Sequence, residues 1–118
     1  MARTIVPAHD ERVQVEIHAP VKGRKTPLKF IAPRFEFIDR HLAEKFDEWL
    51  TEFFKTDGDE AAPILTEELM LNYWVERLDM KDADALMGLT RGEKKQIWEA
   101  WRDESNAPLG ESAPSSDS

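Results

Sequence analysis

The longest helical pattern in the chain covers residues 33 to 55, with the sequence PRFEFIDRHLAEKFDEWLTEFFK. Large apolar residues recur there at steps of three and four positions, and charged residues fill most of the positions between them. This spacing predicts an amphipathic helix over about residues 34 to 55, with an apolar face that another element must cover. The residues predicted to form that face are Ile38, Leu42, Phe46, Trp49, Leu50 and Phe53.

A β-hairpin is predicted before this helix, over residues 12 to 32. Val13, Val15 and Ile17 alternate with polar residues, and a second, looser alternation includes Leu28 and Phe30. The segment between the two, APVKGRKTP, contains the glycine and prolines that are typical of a connection between strands. Because a lone hairpin is only marginally stable in water, we expect its apolar face to pack on the long helix.

Further helices are predicted after the long one. Thr66 is a suitable N-cap, and Thr90 with Glu93 has the spacing of a capping box. We expect Asp82 to cap a short helix that Gly88 ends by adopting a left-handed conformation. The three helices are predicted over residues 67 to 79, 83 to 87 and 91 to 104. The apolar stripe predicted for the first of them consists of Leu69, Met70, Tyr73, Trp74 and Leu78.

The end of the chain differs in composition from the rest. Residues 106 to 118 are mainly serine, alanine, proline, glycine and acidic residues, and Leu109 is their only large apolar side chain. Such a segment cannot bury enough apolar surface to fold, so we expect a disordered tail after a single globular domain of residues 1 to 105. The predicted fold class is α+β and mostly helical, with the hairpin packed on a small bundle of three to four helices.

Composition argues against several classes of function. The chain of 118 residues has a formal net charge of −8, which opposes binding to nucleic acids and to anionic lipid surfaces. It has no cysteine, no apolar run long enough to cross a membrane, and no metal-ligand spacing among His9, His18 and His41. We therefore expect a cytosolic, non-enzymatic protein with no catalytic residues, no metal site and no cofactor.

Aromatic residues are numerous, with four tryptophans, six phenylalanines and one tyrosine. Adjacent positions on a helix point about 100° apart, so a small domain can hardly enclose both members of a pair such as Phe53 and Phe54. We extend this expectation to Trp98 and Trp101 on the last predicted helix. Because aromatic side chains often anchor protein interfaces, these four residues are the predicted partner-binding residues.

The last helix and the tail together resemble the C-terminal end of tail assembly chaperones from long-tailed, siphovirus-type actinobacteriophages. In that family a helix containing tryptophan leads into a short terminus with Gly-Glu-Ser and many Ala and Ser residues. The similarity covers residues 92 to 118, GEKKQIWEAWRDESNAPLGESAPSSDS. The matching residues are Ile97, Trp98, Ala100, Trp101, Leu109, Gly110, Glu111, Ser112, Ser115 and Ser116.

This resemblance implies a non-enzymatic protein that acts in the host cytoplasm and is absent from the mature virion. Such a chaperone binds the tape measure protein and keeps its hydrophobic helices soluble until the tail tube protein polymerises around them. Genes of this family commonly yield a second, longer product by programmed ribosomal frameshifting, and the codons of Gly110 and Glu111 would permit a slippery run. The implied partners are the tape measure protein, the tail tube protein and a frameshifted longer form of the chain itself.

Two other classes remain open. A structural virion component, such as a head-tail connector or a minor tail protein, is suggested by charge segregation along the chain. Residues 20 to 34 contain basic but no acidic side chains, and residues 56 to 68 contain acidic but no basic ones. Opposite patches of this kind could pair between copies in an oligomer. The other class is a small acidic regulator that binds a host protein.

Overall fold

The computed structural model describes residues 2–55, 58, 61 and 63–107. The predicted hairpin is confirmed: strand β1, Gln14–Ala19, pairs antiparallel with strand β2, Leu28–Pro33. Ile17 lies opposite Phe30, and the alternation along both strands places their apolar residues on one face. In the connecting loop Gly23 has a φ of 90°, a conformation that glycine adopts without steric cost.

The part of the chain after the hairpin is mostly helical. Its described α-helices are α1, Arg40–Phe53; α2, Glu67–Arg77; α3, Ala83–Met87; and α4, Arg91–Asn106. Together with the two-stranded antiparallel sheet, they confirm the predicted α+β class.

Helix α1 is shorter than the segment of residues 34 to 55 that the sequence pattern predicts. Phe35–Phe37 form a separate 3₁₀ turn before it. The side chain of Asp39 then accepts a hydrogen bond of 3.0 Å from the backbone N–H of His41. A carboxylate in this position satisfies a free N–H group of the first helical turn, and this explains why α1 starts after Asp39.

The structure contains the predicted N-cap hydrogen bonds of two helices, α2 and α4. The Thr66 side chain accepts a hydrogen bond from the backbone of Leu69 at the start of α2. Thr90 and Glu93 form the predicted capping box of α4, with each side chain bonded to the other residue's backbone N–H.

Helix α3 has the predicted bounds, but the interactions at both of its ends differ from the prediction. The Asp82 side chain makes no capping bond to α3 and instead accepts a hydrogen bond of 2.9 Å from the backbone N–H of Lys29 on β2. Gly88 has a φ of −85°, so the predicted left-handed C-cap is wrong. A backbone donor at the sheet edge binds the carboxylate of Asp82, and this bond attaches α3 to β2.

The hairpin packs on α4 and α3, and the expectation that it packs on the long helix α1 is wrong. Trp101 of α4 has no exposed surface and meets Phe30 of β2 edge to face, with ring centroids 5.1 Å apart. No residue of α1 belongs to the largest fully buried side chains. Those side chains are Trp101, Phe30, Leu28, Leu71, Leu86, Val13 and Val75.

Helix α2 buries a different set of residues from the predicted stripe, because it is covered on two sides. On one side it packs against α4, and on the other Phe46 of α1 lies 5.1 Å from Tyr73 between ring centroids. Helical periodicity predicts one buried face, so it does not identify the residues on the second buried face of α2. The buried residues of α2 are Leu71, Tyr73, Trp74 and Val75.

Helix α4 extends to Asn106, past its predicted end at residue 104. Ser105 is buried, and its hydroxyl accepts a hydrogen bond of 3.0 Å from the backbone N–H of Phe35. The predicted start of the disordered tail, residue 106, is therefore too early by at least one residue, because Asn106 is helical. Residues 108–118 lie outside the described residues. No helix in the described part of the chain is long and apolar enough to cross a membrane.

Candidate partner-binding surface

The end of β2 and the last turns of α4 are joined by three polar contacts. The indole N–H of Trp101 donates a hydrogen bond of 2.8 Å to the carbonyl oxygen of Pro33. The buried guanidinium of Arg34 donates to the carbonyl oxygens of Ser105, at 2.7 Å, and Ala107. A cation at this end also complements the negative end of the helix dipole. These contacts fix the position of α4 and of the aromatic residues that it presents.

Helix α1 has a distinct apolar face, yet none of its residues is buried. Its aromatic side chains contact the core only from outside. Phe46 lies 5.0 Å from Trp74 between ring centroids, and Trp49 lies 4.9 Å from Tyr73. Both Phe46 and Trp49 remain half-buried. An amphipathic helix in a closed domain hides its apolar face, so this face of α1 is incompletely covered by the chain's own core.

An open apolar depression of about 270 Å³ lies between α1 and α4. Phe35 and Trp98 contact each other in its lining, with ring centroids 5.4 Å apart, and Phe46 of α1 also lines it. A space with such a lining favours large apolar side chains of a partner. We name it the α1–α4 depression, and its lining residues are Phe35, Ile38, Ala43, Phe46, Asp47, Trp74 and Trp98.

The four residues predicted to bind a partner lie in different environments. Trp98 is half-buried and lines the α1–α4 depression. Trp101 is fully buried, so its assignment to the binding surface needs correction: its side chain holds β2 and α4 together. Phe53 and Phe54 lie at the C-terminal end of α1, with their rings edge to face and Phe54 48% exposed.

The four residues therefore do not form one common surface. Phe53 is two helical turns, or about 10 Å, beyond Phe46 along α1. A series of aromatic contacts through Trp49, Phe46 and Trp74 separates Phe53 from Trp101. The spacing of tryptophans on α4 does not show which of them faces the hairpin, and this information comes only from the packing.

Some residues of the depression were not predicted to bind a partner. The sequence pattern places Ile38 and Phe46 on a face of α1 that the hairpin is predicted to cover. Phe35 meets Trp98 across a large separation in sequence, and no local pattern in the sequence indicates this contact. The predicted amphipathicity of α1 was the one useful signal, since it identified the helix whose apolar face is left partly open.

Several charged groups have local structural roles away from the depression. Lys94 is buried, and its Nζ lies 3.6 Å from the Glu68 carboxylate, which joins the starts of α4 and α2. Hydrogen bonds from the Arg12 side chain and backbone lower the pKa of Asp10 to about 2. The backbone N–H of Thr90 lowers the pKa of Glu93 in the capping box.

The described residues show no candidate metal site. They contain no group of three or more His, Asp or Glu side chains placed to hold a metal ion. The basic side chains Lys22, Arg24 and Lys25 are exposed in the hairpin loop. Of the five acidic residues expected to complement them, Asp57, Asp59 and Glu60 lie outside the described residues, and Glu67 and Glu68 are in the first turn of α2.

No protein-family model, curated protein sequence or solved protein structure matches the chain.

Proposed function

We propose that the chain is a phage tail assembly chaperone that binds an apolar helical segment of the tape measure protein. It acts in the host cytoplasm and is absent from the mature virion. The observation that supports this most directly is the α1–α4 depression, an open apolar surface beside a helix with no buried residue. The resemblance of residues 92 to 118 to such chaperones suggests that the partner is the tape measure protein. Binding and release are the whole activity, so the role needs no catalytic residue and no cofactor.

The shape of the surface suits an amphipathic helix of the partner. Such a helix presents apolar side chains at positions i, i+3 or i+4 and i+7 along one line. A partner helix that places one of them against Trp98 and Phe46 and runs along α1 reaches Phe53 and Phe54 two turns further on. The predicted aromatic pair on α1 then serves as a second contact for the same helix.

The charge of the chain suits a protein that keeps an aggregation-prone partner dissolved. Its formal net charge is −8, and repulsion between like-charged complexes opposes their association. Asp47 is a charged residue in the lining of the depression. A basic side chain beside the partner's apolar residues can therefore form an ion pair with its carboxylate.

The frameshifted longer form fits the order of elements along the chain. Gly110 and Glu111 follow α4, so a change of reading frame at their codons leaves the hairpin and all of the described helices unchanged. Both products then contain the α1–α4 depression. We propose that the longer one adds a C-terminal segment that recruits the tail tube protein to the bound tape measure protein.

Co-expression with the tape measure protein tests this proposal. We expect the tape measure protein to be soluble and to co-elute with this chain in size-exclusion chromatography, and to be insoluble when this chain is omitted. Insolubility in both cases would contradict the chaperone role. Mass spectrometry of purified phage particles should not detect the chain, and finding it there would favour a structural virion component instead.

A matched pair of variants tests the surface. Ala43→Arg places a long charged side chain in the α1–α4 depression and retains good helix propensity. Glu44→Arg places the same side chain at the next, exposed position of α1 and changes the net charge by more. We expect Ala43→Arg to abolish co-elution and Glu44→Arg to preserve it, with unchanged circular dichroism for both. Equal binding by the two variants would exclude the depression as the binding site.

A further inference from the structure

Among the described residues, no strand pairs with the outer edge of β1. The backbone N–H of Arg34 donates to the carbonyl of Val13, so these two residues form a hydrogen-bonded pair of the antiparallel ladder. Backbone groups alternate along a strand, so Ile17 faces β2, whereas Glu16 and His18 direct their N–H and C=O groups outward. In the described part of the chain, no backbone group outside the hairpin pairs with either residue.

The side chains on this edge include a carboxylate and an imidazole within hydrogen-bonding distance of each other. Glu16 and His18 are exposed on the outer face of the sheet, and their side chains are 2.7 Å apart between Oε2 and Nε2. Lys29 lies across from His18 on β2, with its Nζ 3.8 Å from the same carboxylate oxygen. An added strand therefore meets one acidic and one basic position on β1.

We propose that this edge pairs with the β1 edge of a second copy of the chain, in an antiparallel arrangement with Ile17 at the two-fold axis. This register places Glu16 directly opposite His18 of the second copy, and His18 opposite its Glu16. Shifting the two strands by two residues instead places Glu16 opposite Glu16 or His18 opposite His18. Two carboxylates directly opposite each other are unfavourable, and His18 opposite His18 leaves each imidazole without a carboxylate of the other copy, so the edge is complementary to itself in one register.

The inner face of β1 supports the same register. Val15 and Ala19 are buried, but Ile17 between them is only half-buried. It borders a cavity of about 360 Å³ between the end of β1 and α4, which Ile97 and Ala100 also line. In the proposed dimer, Ile17 of each copy meets Ile17 of the other beside this cavity, and the exposed part of both side chains becomes covered. The result is a four-stranded sheet with both α4 helices on one face.

Pro20 limits the length of the new pairing. It follows β1 directly and has no N–H group, so the ladder cannot continue past His18. The interface is therefore short, and we expect reversible association instead of a permanent dimer. It lies on β1, away from the residues of the α1–α4 depression, and this inference does not depend on the proposed function.

Two charge-reversal variants test the register. Glu16→Lys places Lys opposite His18 in a homodimer, and His18→Glu places Glu opposite Glu16. Both positions are exposed, so both variants should fold, which circular dichroism and thermal unfolding will check. We expect each variant alone to self-associate about tenfold or more weakly than the wild type in sedimentation equilibrium.

An equimolar mixture of the two variants is the decisive sample. A heterodimer of Glu16→Lys with His18→Glu places a carboxylate opposite the introduced lysine in one cross-strand pair and opposite His18 in the other, so mixing should restore association to the wild-type level. Wild-type protein that stays monomeric from micromolar to millimolar concentration would overturn the proposal. So would a dimer that neither single variant weakens, or two weakened variants that do not recover on mixing.

Discussion

Replacement of Trp101 by phenylalanine tests whether this residue joins the hairpin to α4. The side chain has no exposed surface and contacts Phe30, Phe35 and Trp74 edge to face. Its indole N–H is bonded to the carbonyl of Pro33 at 2.8 Å. Phenylalanine preserves an aromatic ring in this position but removes the donor and part of the ring volume.

The expected loss has two parts. The smaller ring leaves a cavity of about 40 Å³, which at about 24 cal/mol per Å³ lowers the free energy of unfolding by about 1 kcal/mol. The carbonyl of Pro33 loses its partner, which costs about 1 to 3 kcal/mol. The total of about 2 to 4 kcal/mol is a large fraction of the roughly 5 to 15 kcal/mol that stabilises a typical domain.

Urea unfolding followed by far-ultraviolet circular dichroism measures this loss without relying on tryptophan fluorescence. Trp98→Phe is the matched control, because Trp98 is half-buried on the same helix and no described residue accepts a hydrogen bond from its indole N–H. We expect the control to lose less than about 1 kcal/mol. If the two variants are equally stable, the assignment of Trp101 as the link between β2 and α4 is refuted.

Three further predictions concern other local contacts. Arg34→Met removes the donor to the last carbonyls of α4 and should lower the free energy of unfolding by about 2 to 4 kcal/mol in urea, with Arg34→Lys recovering only part. Thr90→Ala should cost about 1 kcal/mol in thermal unfolding, and Thr90→Ser little. The Asp10 carboxylate stabilises the fold fully above its ordinary pKa of 3.8, and this contribution is lost as pH falls through about 2. In an NMR titration, Arg12→Ala should raise the pKa of Asp10 towards 3.8.

Local patterns in the sequence were sufficient to predict most elements. Alternation predicted both strands, and the N-cap at Thr66 and the capping box at Thr90 predicted helix starts that the structure contains. These features depend on residues within a few positions of one another. The capping carboxylate of Asp39 is of the same kind, and it could have corrected the predicted start of α1.

Packing between distant elements could not be predicted in the same way. The sequence shows that α1 has an apolar face, but it does not show that the hairpin packs on α4. Trp98 and Trp101 have similar surroundings in sequence, yet only Trp101 meets the hairpin and is buried. The candidate site follows from this arrangement, since α1 retains an open face only because the hairpin covers α4.

The contacts between β2 and α4 also determine the order in which the chain can fold during synthesis. Pro33 and Trp101 are 68 positions apart, and Arg34 and Ser105 are 71 positions apart. Since translation proceeds from the N-terminus, the hairpin leaves the ribosome well before the helix that covers it. Its apolar face is not fully covered until α4 has emerged, so cotranslational folding of this domain cannot be completed before then.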